Sequence, residues 1–296
     1  MFEFFKRLFP EKNEGGAKVN QAALVDSTHS RSERKKVLTK TKYRIASCQS
    51  PGMERPHNED TLFTFDCVLD GLDSPLHFGI YLVADGMGGH QGGEVASILA
   101  AQGASQYLIE HVFYPLMYDR QSISNEDLLL RTKEAVEEAQ KLIRQRVPGG
   151  GTTLSMAMVV DGNIYFAHVG DSRIYLIEPD GKITLKTKDH SLVKRLVDLG
   201  EISENEASIH PQRNVLYRAL GQIDSFEPDA DSFSMGLGDR LLICSDGLWG
   251  ILPEKQMLGI LENASTLEKM ACDLVNAANE SGGPDNISVI LVERLA

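Results

Sequence analysis

An α+β fold with mostly antiparallel sheet is predicted for this chain. Three observations predict it. Blocks of strands alternate with blocks of helices, and not single strands with single helices as βαβ units require. Asp161-Gly162-Asn163 and Asp180-Gly181 place short turns between apolar runs, the spacing of antiparallel meanders. Two long helical patterns lie next to each other in the middle of the chain, with strands on both sides.

The body is expected to begin near Tyr43. Tyr43 to Cys48 alternates and reads as a strand. Thr61 to Leu69 and Phe78 to Ala84 are two more, and Gly71 and Pro75 between them mark a hairpin turn. Glu94 to Val112 is rich in Ala, Leu and Ile and follows a glycine cluster, so it reads as a helix. Ser124 to Arg146 is a clearer one. Leu128, Thr132, Ala135, Val136, Ala139, Leu142 and Ile143 recur at helical spacing, and Ser124 with Asp127 resembles a capping box. Thr153 to Val160, Asn163 to Val169 and Arg173 to Ile177 return to strand. Residues 190–222 are more polar and weakly helical. Arg240 to Cys244, helices over 254–262 and 267–278, and a strand from Asn286 to Val292 complete the pattern.

Composition narrows the class. The chain has 296 residues, 42% of them hydrophobic, enough for one large core or two smaller ones. Its net charge of −12 argues against a general nucleic-acid binder. Residues 1–42 hold ten Lys/Arg and five Asp/Glu, a net +5, so the remaining body carries −17. That first segment reads as a basic, polar extension, flexible, ahead of a domain at 43–296. Phe2, Phe5, Leu8 and Phe9 share a helical face. A frayed terminus is the favoured reading, and a hook for a membrane surface or partner is the alternative. None of Cys48, Cys67, Cys244 and Cys272 forms a C-x-x-C pair, so buried reduced thiols are expected. No apolar stretch approaches the roughly 20 residues that span a bilayer. The expected compartment is the cytoplasm, and the expected state a monomer.

Five acidic signatures carry the chemistry. They are Asn58-Glu59-Asp60, Asp85-Gly86-Met87-Gly88-Gly89, Gly170-Asp171-Ser172-Arg173, Ser245-Asp246-Gly247 and Pro284-Asp285-Asn286. Most sit where an apolar run gives way to a loop, so one sheet edge could gather their carboxylates. Each alone is explained by an Asx-turn. Together they suit a pair of hard cations, since oxygen-only ligands favour Mg²⁺ or Mn²⁺ over Zn²⁺. Asp85 is the candidate bridge, with Gly86 letting a main-chain carbonyl approach as well. Asp246 and Asp285 complete the set, and Glu59 and Asp60 would hold waters around the ions. A binuclear zinc enzyme would need clustered histidines, which are absent.

Residues about 43–294 resemble the metal-dependent serine/threonine protein phosphatases of the type 2C, or PPM, family. The resemblance rests on Arg55-x-x-Asn58-Glu59-Asp60, Val83 to Gly89, Gly150-Gly151-Thr152-Thr153, Val169 to Arg173, Lys188-Asp189-His190-Ser191, Ser245-Asp246-Gly247 and Pro284-Asp285-Asn286, in that order. It implies a β-sandwich of two antiparallel sheets flanked by helices, a four-layer αββα arrangement, with metals at one end. It implies hydrolysis of phosphoserine and phosphothreonine in proteins by water activated between two Mn²⁺ or Mg²⁺ ions, in signalling opposite a Ser/Thr kinase. By position, Asp85 would bridge the ions, Gly86 would offer its carbonyl, and Asp246 and Asp285 would bind the other ion. Asp171 with Asp246 matches a third, weaker metal position, Arg55 would grip the substrate phosphate, and Asn286 would support the ligands. Residues 190–222 match a segment that forms a mobile flap in relatives.

Two departures stand out. Met87 occupies the place where many eukaryotic relatives carry His, and it has no proton to donate. Bacterial-type members commonly have Met there. Gly250 follows Trp249 where some relatives add an acidic ligand. His90 is read as a loop histidine and His190 as structural. The alternative function is a catalytically silent regulator that binds phosphoproteins on the same fold. Such proteins typically lose a metal carboxylate, and here all are present.

Overall fold

The computed structural model describes residues 43–69, 75–87, 91–119, 123–222 and 227–295. The chain divides between Leu38 and Thr39, and all described residues fall in the second unit. The expectations for residues 1–42, for the tip of the first hairpin and for His90 lie outside the described residues.

Two five-stranded antiparallel sheets dominate. The first contains β1 (Tyr43–Ser50), β12 (Ile287–Arg294), β11 (Arg240–Cys244), β8 (Arg173–Ile177) and β9 (Ile183–Leu185), in that order. The second runs β10 (Asp229–Ser234), β7 (Asn163–Val169), β6 (Leu154–Val160), β3 (Leu76–Ala84) and β2 (Thr61–Leu69). A two-residue pair, β4 (Gly86–Met87) with β5 (Gly151–Thr152), sits apart.

The inner strands are apolar almost throughout because both of their faces are covered, and the period of two divides each strand between two cores. On β3, Phe78, Ile80, Leu82 and Ala84 join a core with α1 (Gln91–Leu108) and α3 (Asn125–Arg146). The alternating Tyr81 and Val83 face the other sheet. On β12, Val289 and Leu291 pack towards α7 (Glu254–Asn263) and α8 (Leu267–Glu280), while Ile290 and Val292 fill the space between the sheets. The result is helices, sheet, sheet, helices.

The helices form for local reasons too. At the start of α3 the Ser124 hydroxyl accepts from Asp127 N at 3.1 Å, and Leu128, Thr132, Ala135, Val136, Ala139 and Ile143 are buried on one face. Thr266 caps α8 by accepting from Lys269 N at 3.2 Å, and Leu267, Met270, Ala271, Leu274, Val275 and Ala278 pack inward. Each such Leu or Val contributes about 1.5–3 kcal/mol on burial.

Three differences from the sequence reading have physical reasons. The first helix starts at Gln91 and ends at Leu108, and a π-helical turn at Ile109–Phe113 leads into α2 (Tyr114–Tyr118). Pro115 has no N–H for a regular turn, and the wider turn accommodates it. The strands β9 and β10 went unread because β9 has only three residues and Asp229-Ala-Asp-Ser-Phe-Ser has little apolar alternation. Of the four cysteines, all free, only Cys244 is buried; Cys48 and Cys67 are half-buried and Cys272 is exposed. The general expectation of buried thiols is corrected accordingly.

The polar segment 190–222 folds into α4 (Leu192–Asp198) and α5 (Glu204–Ser208). Its two ends meet. Leu192 N donates to Val215 O at 2.7 Å, and Tyr217 N donates to His190 O at 2.9 Å.

Candidate active site

Strand direction decides where the acidic signatures go. β1, β3, β7 and β11 all run towards one rim of the sandwich, and β2, β6, β8 and β12 run away from it, as their antiparallel registers require. The loops 51–60 and 170–172, Asp85, and the two ends of the connection 245–286 (Asp246 after β11, Asp285 before β12) therefore meet at that rim. They enclose a cavity of about 380 Å³. Glu59, Asp85, Gly86, Asp171, Asp246, Asp285, Asn286 and Arg55 line it, together with Met87, Thr153 and His57. Asn214 and Leu216 reach it from the 190–222 segment. Asp60 is the one predicted site residue that does not line the cavity. It is buried behind it, where its Oδ2 accepts from Ser245 Oγ at 2.8 Å and Ser288 Oγ at 2.6 Å.

Each carboxylate is held by its backbone. Asp85 follows the last residue of β3. Its N–H donates to Thr153 Oγ1 at 2.9 Å, and its carbonyl accepts from Thr153 N and Thr152 Oγ1, both at 2.8 Å. The Gly150-Gly151-Thr152-Thr153 run is thus a clamp on Asp85. Gly86 is pinned between two backbones: a Cβ there would lie 2.4 Å from Gly93 O and 2.6 Å from Glu59 O. Asp171 follows Gly170, whose φ of +110° favours glycine. Its carbonyl accepts from Trp249 Nε1 at 2.9 Å. Asp246 opens the short helix α6 (Asp246–Trp249). Asp285 precedes β12 and accepts from Asn286 N through Oδ1 and from Arg55 through Oδ2, at 2.9 and 2.8 Å.

Asn286 itself secures the loop that crosses from one sheet to the other. Its Oδ1 accepts from Glu59 N at 2.8 Å, and its Nδ2 donates to Pro51 O and His57 O, each at 2.9 Å. Sequence reasoning missed this clamp, as it missed Thr153 and Trp249. Asn286 and Thr153 lie inside quoted motifs and Trp249 two residues beyond one, but motif position does not say which way a side chain points.

The electrostatics are unbalanced. Five carboxylates face the cavity, and among the described residues lining it Arg55 is the one permanently charged cation. Burial raises Asp85 well above the usual carboxylate range, and Asp60 and Asp246 add to it. Burial also raises Asp171, with Asp246 and Asp189 adding. Asp246 is pushed up to about 6 by burial and by Asp285, and Asp60 to about 7 by burial against the opposing pull of its serine hydroxyls. Asp246 Oδ1 and Asp60 Oδ1 are buried without a hydrogen-bond partner. A divalent cation in the cavity would relieve the repulsion and give Asp246 Oδ1 a partner, so the residues fit one. Among the described residues no three His, Cys, Asp or Glu are drawn tightly enough together to hold an ion by themselves.

Other residues fall as expected. Asp161 and Asp180 are turn residues: Asp161 Oδ1 accepts from His77 N and Asp180 Oδ1 from Lys182 N, both at 3.0 Å. Met156 and Met158 are buried in the core. His190 is buried, and its Nδ1 accepts from Gly170 N at 3.1 Å.

Comparison with known proteins agrees with this architecture. The profile described as Protein phosphatase 2C matches residues 58–292. The serine/threonine phosphatase Stp of Listeria innocua is 39% identical over 243 residues, covering 82% of this chain and 92% of that protein. A structure of the catalytic domain of the serine/threonine protein phosphatase PstP in complex with two manganese ions superposes with a TM-score of 0.69 at 30% identity, covering 86% of this chain and 99% of that one. The Streptococcus agalactiae serine/threonine phosphatase superposes with a TM-score of 0.71 at 33% identity, covering 85% and 99%. This chain belongs to the protein phosphatase 2C family.

Proposed function

We propose that the chain removes phosphate from phosphoserine and phosphothreonine in proteins, and that it does so at the carboxylate rim. The observation that carries the reading is the convergence of Asp85, Asp171, Asp246 and Asp285 from four separated strand boundaries on one cavity, with Asp246 Oδ1 buried and unpartnered. Asp85, the Gly86 carbonyl, Asp246 and Asp285 would hold two Mn²⁺ or Mg²⁺ ions, and Asp171 with Asp246 a third. When bound, such ions activate water for in-line attack on phosphorus and neutralise the phosphoryl oxygens.

The protein's own groups do the rest. Arg55 is half exposed at the mouth, where its planar fork can grip two phosphoryl oxygens. It releases Asp285 to do so. Glu59 orients water from the crossing loop, and Asn286 fixes that loop. Asp60 sits behind the floor and holds Ser245 and Ser288 in place. Met87 holds no proton, so the departing serine or threonine oxygen takes its proton from water or another group. The substrates are by their chemistry the products of a Ser/Thr kinase, which this enzyme would oppose. A monomer suffices, since the site is built from one chain.

Asp246→Asn tests the reading. On a phosphothreonine peptide with excess Mn²⁺, turnover should fall by about 10²–10³-fold, as when a group that stabilises the transition state is lost. Circular dichroism should be unchanged. Wild-type rates in the folded variant would refute the assignment.

A further inference from the structure

The chain has a single tryptophan, Trp249, and it stands at a junction of three elements. It ends α6, the helix that begins with Asp246. Its Nε1 donates to the Asp171 carbonyl at 2.9 Å, across from β7. Its ring lies under the Arg173 guanidinium, 3.5 Å from the ring centroid. Arg173 in turn makes two hydrogen bonds to Asp189, at 3.0 and 2.7 Å, with only 20% and 6% of the two side chains exposed. Asp189 immediately precedes the closed root of the 190–222 segment, where Tyr217 N meets His190 O.

The indole is only half-buried, and none of these contacts is needed merely to pack it against its neighbours. An apolar ring of the same size would fill the space. What the N–H adds is a fixed distance between the carbonyl of Asp171 and the helix that carries Asp246. What the stacked, ion-paired Arg173 adds is a stiff wall beside it, because a cation over an indole face is directional. A second cavity of about 620 Å³ is lined by Trp249, Arg173 and Asp189 and shares Asp171, Asn214 and Asp246 with the first, so the indole and the ion pair flank both carboxylates.

We propose that Trp249 is a positioning residue that sets Asp171 against Asp246, and so controls cation binding at the position those two carboxylates share. The inference rests on the reading of Asp171 and Asp246 as ligands given above. It goes beyond that reading by assigning the affinity of the shared position to a residue that touches no ion.

The test is a Mn²⁺ titration of the full chain, with bound metal counted from the spectrum of free Mn²⁺ and the emission of Trp249 recorded in parallel. Wild-type protein should bind in a tight and a weaker class, and Trp249 emission should change with the weaker class. Asp171→Asn should abolish that class and the emission change together. Trp249→Phe keeps an aromatic ring under Arg173 and loses the N–H donor together with the second ring of the indole. It should move the weaker class to about tenfold or higher Mn²⁺ concentration, the usual effect of removing a group that orients a ligand, and leave the tight class in place. Identical binding curves for Trp249→Phe and wild type would overturn the inference. So would wild-type emission that stays flat while the weaker class fills, an arm that needs no variant to fold. Wild-type protein that binds no Mn²⁺ at all would instead overturn the reading of the carboxylates as ligands, and this inference with it.

Discussion

Asn286 shows how much one side chain can decide. Its amide spends all its hydrogen bonds on the backbone of the loop 51–59. Each such bond contributes on the order of 1 kcal/mol, and a buried group left unpaired costs about 1–3 kcal/mol. Asn286→Ala should therefore destabilise the protein by about 2–4 kcal/mol in urea melts and lower turnover, since Glu59 and Arg55 ride on the released loop. A change under 0.5 kcal/mol would show that the loop holds without the clamp. Gly247 is constrained differently. A Cβ there would lie 2.1 Å from Asn286 O, so Gly247→Ala must displace the same backbone. It should cost about 1–3 kcal/mol, read as a lowered Tm. At this scale the sequence told which residues meet. The acidic signatures at strand boundaries were enough to bring Asp85, Asp171, Asp246 and Asp285 to one cavity. The directions of Asn286, Thr153 and Trp249 were not legible, because they depend on partners up to 235 residues away.

Elements differ in how strongly they announce themselves. The inner strands were readable because two covered faces demand unbroken apolar runs, and α3 because its buried stripe recurs at helical spacing. The strands β9 and β10 were not, since one is three residues long and the other is mostly polar, and neither carries an apolar pattern long enough to read. The small helix α5 rests on local chemistry. Ser203 Oγ accepts from Glu206 N at 3.3 Å, and the Glu206 carboxylate accepts from Ser203 N at 2.8 Å, a reciprocal cap on a five-residue helix. Ser203→Ala should cost about 1 kcal/mol, felt locally. Amide exchange over 204–208 should quicken several-fold while the global Tm moves little. Unchanged exchange there would mean that packing of Ala207, and not the cap, holds the helix.

The whole molecule stores negative charge at one rim, and this has a signed consequence. Without metal, Asp246 and Asp60 have pKa values raised to about 6 and about 7, against an ordinary 3.8. The folded state then binds more protons than the unfolded one through that window, so these groups favour the fold below about pH 4 and lose that contribution as pH rises to 7. His168, lowered to about 3 by burial, acts in the opposite sense: its contribution is full above pH 6.5 and is lost as pH falls. A cation competes with the rim protons and not with His168. The rise in Tm on adding Mn²⁺ should therefore grow from pH 5.5 to pH 8, and a constant rise would contradict the site. The −17 body bears on substrate choice as well. At low ionic strength, phosphopeptides with Lys flanks should be hydrolysed faster than those with Glu flanks, and the difference should shrink as salt screens it. Equal rates across a salt series would remove charge as a selector.

Because β3, β7 and β11 all point their ends at the same rim, the turns on the other side of the sandwich take no part in the chemistry. The β8–β9 turn is the clearest of these. Asp180 and Gly181 bend there, held by a short local hydrogen bond to Lys182. A tether, dye or affinity handle inserted between them would leave the mouth of the enzyme facing freely outward, so the protein could be fixed to a surface by its back and still meet large phosphorylated targets.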